Sequence, residues 1–147
     1  MNPDFRDMLF ALSEAGADYL IVGAYAMAVH GLPRATGDLD IWIRRSEENS
    51  HRVWRAIKKF GTPRSRVTAA DFTVRDTVFQ IGAVPRRIDI LTSVDGVEFE
   101  EAWPDRKTVG LEGREVPVIG RAQLIKNKRA CGRPKDLADL AWLEGSG

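Results

Sequence analysis

Asp38 and Asp40 stand one residue apart directly after Gly37, at the head of the apolar run Leu39, Ile41, Trp42, Ile43. Strand side chains alternate between faces, so on a strand both carboxylates project to one side while Leu39, Ile41 and Ile43 project to the other. A third acid, Asp89, lies inside a second apolar run, Arg87-Ile88-Asp89-Ile90-Leu91. Three converging carboxylates suit a hard, oxygen-seeking divalent cation such as Mg2+, which is commonly recruited together with substrate phosphates. Residues two apart on a strand are separated by about 6.6 Å along it, enough to grip two metal ions about 3.5–4 Å apart. One ion would lower the pKa of an attacking hydroxyl, and the other would neutralise a triphosphate and the leaving pyrophosphate. Asp89 would be a further ligand or the base for that hydroxyl. The plainer alternative is two solvated acids on a one-sided sheet.

The flanking sequence supplies elements able to position these acids. Asn2 caps and Pro3 opens a first helix on which Phe5, Met8, Leu9 and Leu12 repeat, and Gly16 ends it. Asp18 to Val22 reads as a short strand, and Gly23-Ala24 as a tight turn into a small-residue helix from Tyr25 to His30. The loop from Gly31 to Gly37 delivers the chain into the aspartate strand. Ser46 caps a third helix with Glu47 and Glu48 in its first turn and Val53, Trp54, Ile57 and Phe60 on its buried side. Strands are expected at Phe72 to Val74 and Thr77 to Ile81, then a hairpin into Arg87 to Leu91 that sets Asp89 beside the aspartate strand. A short helix from Val97 to Trp103 follows, and Lys107 to Val109 pairs with Val116 to Ile119. Two helices close the chain, Arg121 to Ala130 and Lys135 to Leu143, the second opened by Pro134. The fold class is α+β, a mixed twisted sheet flanked by helices. At 147 residues, 44% of them hydrophobic, one domain spanning 1–147 is expected.

Cys131 is the only cysteine, and with two histidines it cannot build a structural zinc site or an internal disulfide. No apolar run approaches the length that crosses a bilayer and the N-terminus lacks signal-peptide features, so a cytoplasmic protein without membrane partners is expected. Net charge is +1, which excludes a polycation that coats nucleic acid. Cations nonetheless crowd two stretches, from Arg44 to Arg66 and from Arg121 to Lys135, an asymmetry that permits a polyanionic partner on one face.

Read whole, the string Tyr19-Leu20-Ile21-Val22-Gly23-Ala24-Tyr25-Ala26, then His30-Gly31, Pro33-Arg34, Thr36, Gly37-Asp38-Leu39-Asp40-Ile41 and finally Asp89 resembles the nucleotidyltransferase superfamily that includes DNA polymerase beta. It is more similar to the small bacterial members, the minimal nucleotidyltransferases and the abortive-infection toxin group. Their pattern is an apolar strand, Gly-Gly or Gly-Ser, a spacer, Asp-x-Asp, and a third carboxylate on a later strand. The tail from Leu124 to Leu140 also looks like the closing helices of the bacterial group. The resemblance implies that Asp38, Asp40 and Asp89 bind one or two Mg2+ ions and that Gly23 and Ala24 line the phosphates of a nucleoside triphosphate such as ATP. Ala24 departs from the pattern, since it lacks a hydroxyl and adds a methyl where the family carries glycine or serine.

Further nucleotide-binding candidates are Arg34, Lys128 and Lys135. Lys128 shares a helical face with Leu124 and so aims inward, where a triphosphate would serve as its anion; alternatively its stem packs on apolar surface and its amine reaches water. Arg34 could grip a phosphate bidentately or be an exposed loop residue. Lys135 and Asp136 open the last helix, where a structural role is at least as reasonable. His30 suits a backbone hydrogen bond better than base catalysis, and Trp42, on the aspartate face, suits packing better than base stacking. The expected function is transfer of a nucleoside monophosphate from a triphosphate to a hydroxyl on an RNA end such as tRNA, a protein side chain or a small molecule. The resemblance adds a toxin–antitoxin context with a cognate partner. The competing reading is a non-catalytic nucleotide-binding or interaction module of the same fold.

Overall fold

A computed structural model describes residues 1–32, 37–61, 67–83 and 85–145. The N-terminal helix α1, Pro3–Glu14, starts where expected: the Asn2 side chain accepts from the Asp4 amide at 2.7 Å, and Pro3 occupies the first turn. It leads into β1, Tyr19–Val22, and α2, Gly23–Val29. Next come β2, Asp38–Ile43, and α3, Glu47–Phe60, whose first turn is capped by Ser46 Oγ accepting from the Asn49 amide at 3.1 Å. The hairpin β3, Val78–Ala83, and β4, Arg86–Leu91, is followed by the short α4, Phe99–Ala102. A second hairpin, β5, Lys107–Leu111, and β6, Arg114–Val118, precedes the closing helices α5, Arg121–Cys131, and α6, Pro134–Gly145. No helix among the described residues is long and apolar enough to cross a membrane.

Among the described residues six strands form one mixed sheet in the order β3-β4-β2-β1-β6-β5. Both aspartate strands are central and run parallel, which requires a crossover between them; the chain from 44 to 77, including α3, supplies it. The face of β2 and β4 that carries Leu39, Ile41, Ile43, Ile88 and Ile90 is buried in one core with Met8, Leu9 and Leu12 of α1 and Val53 and Ile57 of α3. Burying that face is what fixes the register, because a one-residue slip would turn the acids inward and the isoleucines out.

One expected strand is a different element. Phe72 to Val74 does not pair; a 3-10 helix spans Ala69–Thr73 instead, with the Thr68 amide donating to Asp71 Oδ2 at 2.8 Å. That local bond favours a turn over an extended chain. The apolar signal came from Phe72 alone, 1% exposed and packed against Phe79 of β3 at 5.9 Å between ring centroids. The β5–β6 hairpin is longer than expected because Glu112 (φ 47°) and Gly113 (φ 84°) turn the chain in two residues. Positive φ at both positions matches the right-handed twist of the flanking strands.

Candidate active site on the acid strand pair

The parallel pairing of β2 with β4 sets Asp38 opposite Arg87 and Asp40 opposite Asp89. All four side chains therefore leave the same face of adjacent strands. Asp89 is 8% exposed and accepts from the Arg87 guanidinium through both oxygens, at 2.9 Å from Nε and 3.3 Å from Nη2. Nη2 also donates to Asp38 Oδ2 at 3.4 Å. Asp40 lies between Asp89 and the Gly23 turn. Burial first, then the charges of Asp89 and Asp38, push its carboxyl up from 3.8 to about 6, against the opposing pull of Arg87. The cluster thus carries more negative charge than one guanidinium balances.

Gly23 presses against this group from α2. Its φ is +69°, and a Cβ built on it would lie 2.2 Å from Asp40 Oδ2. Glycine is required here twice, for its backbone angle and for the space. Gly23→Ala is expected to destabilise the protein by about 1–3 kcal/mol, from left-handed strain and the displaced Asp40 carboxylate. Chemical denaturation checks this, and unchanged stability would mean the turn is looser than described. Ala24 follows half-buried in the first turn of α2, whose N-cap residue Val22 offers no side-chain hydrogen bond.

A cavity of about 230 Å³ opens beside Gly23 and Asp40. Leu91, Ser93 and Asp95 form its sheet side, and Asn127, Lys128 and Cys131 of α5 with Arg133 of the link to α6 form the other. Lys128 points inward as the helical spacing requires, but its anions belong to the chain itself. Its ammonium lies 3.0 Å from Asp139 Oδ2 and 3.4 Å from Asp136 Oδ1, both carboxylates almost wholly buried. Asp136, 0% exposed, also receives Arg133 Nε at 2.5 Å. Burial would push the Asp136 carboxyl up, but the Arg133 hydrogen bonds and the Lys128 charge outweigh it, leaving it below the usual carboxylate range.

Lys135 is exposed at the start of α6 and does not line this cavity. Arg34 lies outside the described residues. His30 takes the structural place expected of it, its Nε2–H donating to the Ile119 carbonyl at 2.8 Å. Trp42 is 1% exposed and meets Phe99 edge-on at 5.1 Å, so its ring is committed to packing. Arg87 was the residue that sequence reasoning passed over. Its signal was present, since it lies two residues before Asp89 and must share its face.

As the side chains stand, no group of three acids, histidines or cysteines among the described residues is arranged to hold a metal ion. The donor chemistry and the backbone register nevertheless fit a hard divalent cation: three carboxylates share one face of adjacent strands, with Asp40 in register with Asp89 and pushed toward protonation by burial and by its neighbours' charges. What departs from a ligand arrangement is that Asp38 and Asp89 are turned to a guanidinium.

Comparison with solved structures assigns the architecture. The chain superposes over 100% of its length on an inferred nucleotidyltransferase from Thermotoga maritima, with a TM-score of 0.62, 15% identity and 96% of that chain covered. The chain has the nucleotidyltransferase fold. It matches the lincosamide antibiotic adenylyltransferase LnuA, solved with lincomycin bound, to the same TM-score of 0.62 at 10% identity, over 100% of this chain and 98% of that one. No protein-family model and no curated protein sequence matches it. Within the nucleotidyltransferase fold seen here, the acid pair lies on β2, the Gly23 turn lies between β1 and α2, and the third acid lies on β4.

Proposed function

We propose that this protein is a nucleotidyltransferase that moves a nucleoside monophosphate from a nucleoside triphosphate to a hydroxyl acceptor with the help of Mg2+. The observation that carries the reading is the in-register placement of Asp40 and Asp89 on parallel central strands, with Asp38 beside them and the Gly23 turn against Asp40. Asp38, Asp40 and Asp89 would hold the metal, which when bound neutralises triphosphate charge and acidifies the acceptor hydroxyl. The chain's own part is positioning. The buried floor of Leu39, Ile41 and Ile90 fixes both acid strands, so the carboxylates need no rearrangement of the backbone to act. Gly23 keeps α2 close to them, and the cavity between β4 and α5 supplies room for a bound molecule.

The side-chain environment also bears on the acceptor. Arg44, Arg45, Arg52 and Lys59 of the first basic stretch pair with Asp18, Glu98, Glu48 and Glu14. Lys126, Arg129 and Arg133 of the second pair with Glu101, Glu144 and Asp136. An RNA backbone would have to displace these partners, which favours a protein side chain or a small hydroxylated molecule as acceptor. A toxin–antitoxin setting, with a cognate protein as that acceptor, is part of the same proposal. The binding of lincomycin by LnuA supports the small-molecule arm.

Label transfer from α-labelled triphosphates, with Mg2+, to a small-molecule panel, total protein and total RNA tests the reading. One acceptor class should be labelled by the native protein and left unlabelled by the Asp38→Asn, Asp40→Asn double variant. Labelling that survives the double substitution would refute the metal assignment. Calorimetry with each triphosphate, with and without Mg2+, separates catalysis from a non-catalytic module of the same fold: triphosphate bound with Mg2+ but transferred to no acceptor class would mark a nucleotide-binding module, and none bound would end the enzyme reading and leave an interaction module.

A further inference from the structure

Arg87 enters β4 opposite Asp38 and shares a strand face with Asp89, so its guanidinium reaches both. Among the described residues it is the cation whose ion pairs extend to two of the three acids. Lys128, a buried cation lining the cavity, is engaged by Asp136 and Asp139. Arg87 is 27% exposed, so its guanidinium stays within reach of an arriving ligand. A guanidinium is planar, and its forked donors match the oxygens of a carboxylate or a phosphate equally well.

We propose that Arg87 is a resident counter-ion that makes divalent-cation binding at Asp38, Asp40 and Asp89 conditional on a nucleotide. This rests on reading those acids as the metal site. A bare cation must strip Asp38 and Asp89 from the guanidinium and leave Arg87 without an anion. A cation that arrives on a triphosphate brings phosphate oxygens to which the guanidinium can transfer, so the exchange keeps every charge paired. The protein at rest then holds its acids together without metal. Metal and nucleotide enter as one complex, and Arg87 acts as a positioning residue that moves from carboxylate to phosphate.

Mn2+ serves as the probe, its free concentration followed by electron paramagnetic resonance, with and without α,β-methylene ATP, a triphosphate analogue that cannot be transferred. Alone, Mn2+ should bind Arg87→Gln about tenfold more tightly than the native protein, and Arg87→Lys should fall between. With the analogue present, the native protein should bind Mn2+ firmly and the gap should close to within about threefold. A merely structural arginine predicts the reverse, since loss of its ion pairs would slacken the acids and weaken Mn2+ binding. In the native protein, the Arg87 Nε–H nuclear magnetic resonance signal should hold still on adding Mg2+ alone and move on adding Mg2+ with the analogue. Native protein that binds Mn2+ with the analogue while Arg87→Gln shows no tightening, or while the Nε–H signal stays fixed, overturns the counter-ion and leaves the metal site standing. Failure of both proteins to bind Mn2+ in either arm overturns the metal site and the counter-ion together.

Discussion

Asp40→Asn should make the metal-free protein more stable at pH 8 while lowering the proposed nucleotidyl transfer by about 100- to 1,000-fold, the scale of losing one preorganised charge-stabilising group. Asp40 carries a cost at neutral pH, because burial and the charges of Asp89 and Asp38 raise its carboxyl from 3.8 to about 6. An unfolded chain releases this proton near pH 4 and the folded chain near pH 6. Between those values the folded state binds the extra proton, so stability falls as pH rises across the window. A rise of this size corresponds to about 3 kcal/mol, fully expressed above pH 6. Asparagine removes the charge, so the gain should reach about 2–3 kcal/mol at pH 8 and vanish near pH 4. Urea unfolding of both proteins with chelator present, at pH 4, 6 and 8, measures it. Equal stability at all three values would place Asp40 in water rather than against Gly23.

Lys128→Met is expected to cost about 3–5 kcal/mol, because it leaves Asp139 and Asp136 buried without the cation between them. The apolar stem of methionine fills most of the space, so lost packing is a small part of the effect. Adding Asp139→Asn should recover a substantial part of the loss, since the double variant no longer buries that uncompensated charge. A Lys128 whose sole partner was a triphosphate would behave otherwise: Lys128→Met would shift unligated stability by less than about 0.5 kcal/mol and change only nucleotide affinity. Denaturation of the two variants without nucleotide decides between these outcomes.

The acid strands were legible because one residue pattern answered to two demands at once. Leu39, Ile41 and Ile43 had to face a core and Asp38 and Asp40 could not, so period-two alternation named both the strand and the acid face. Asp89 followed from the same logic on β4. Helix ends were equally plain, since Asn2 and Ser46 carry their capping chemistry in the side chain. Phe72 misled because one large apolar residue in a short stretch mimics a strand, whereas the hydrogen bond from the Thr68 amide to Asp71 favours a 3-10 helix. Lys128 was read correctly in direction and incompletely in partner. Its counter-charges sit eight and eleven residues downstream on another helix, and spacing within α5 carries no record of how α6 will lie against it. Arg87 went unread for a different reason: attention to which residues could bind a metal overlooks the residue that holds the same carboxylates without one.

The parallel alignment of β2 with β4 has a consequence in time. Parallel neighbours cannot zip from a tight turn, so the first acid pair waits for about fifty intervening residues before it meets the third. The cavity waits longer still, for α5 and α6, the last helices of this chain. During synthesis residues 1–60 will have left the ribosome with Asp38 and Asp40 but nothing to act with. If the proposed transfer holds, it can begin only on chains that have closed the sheet.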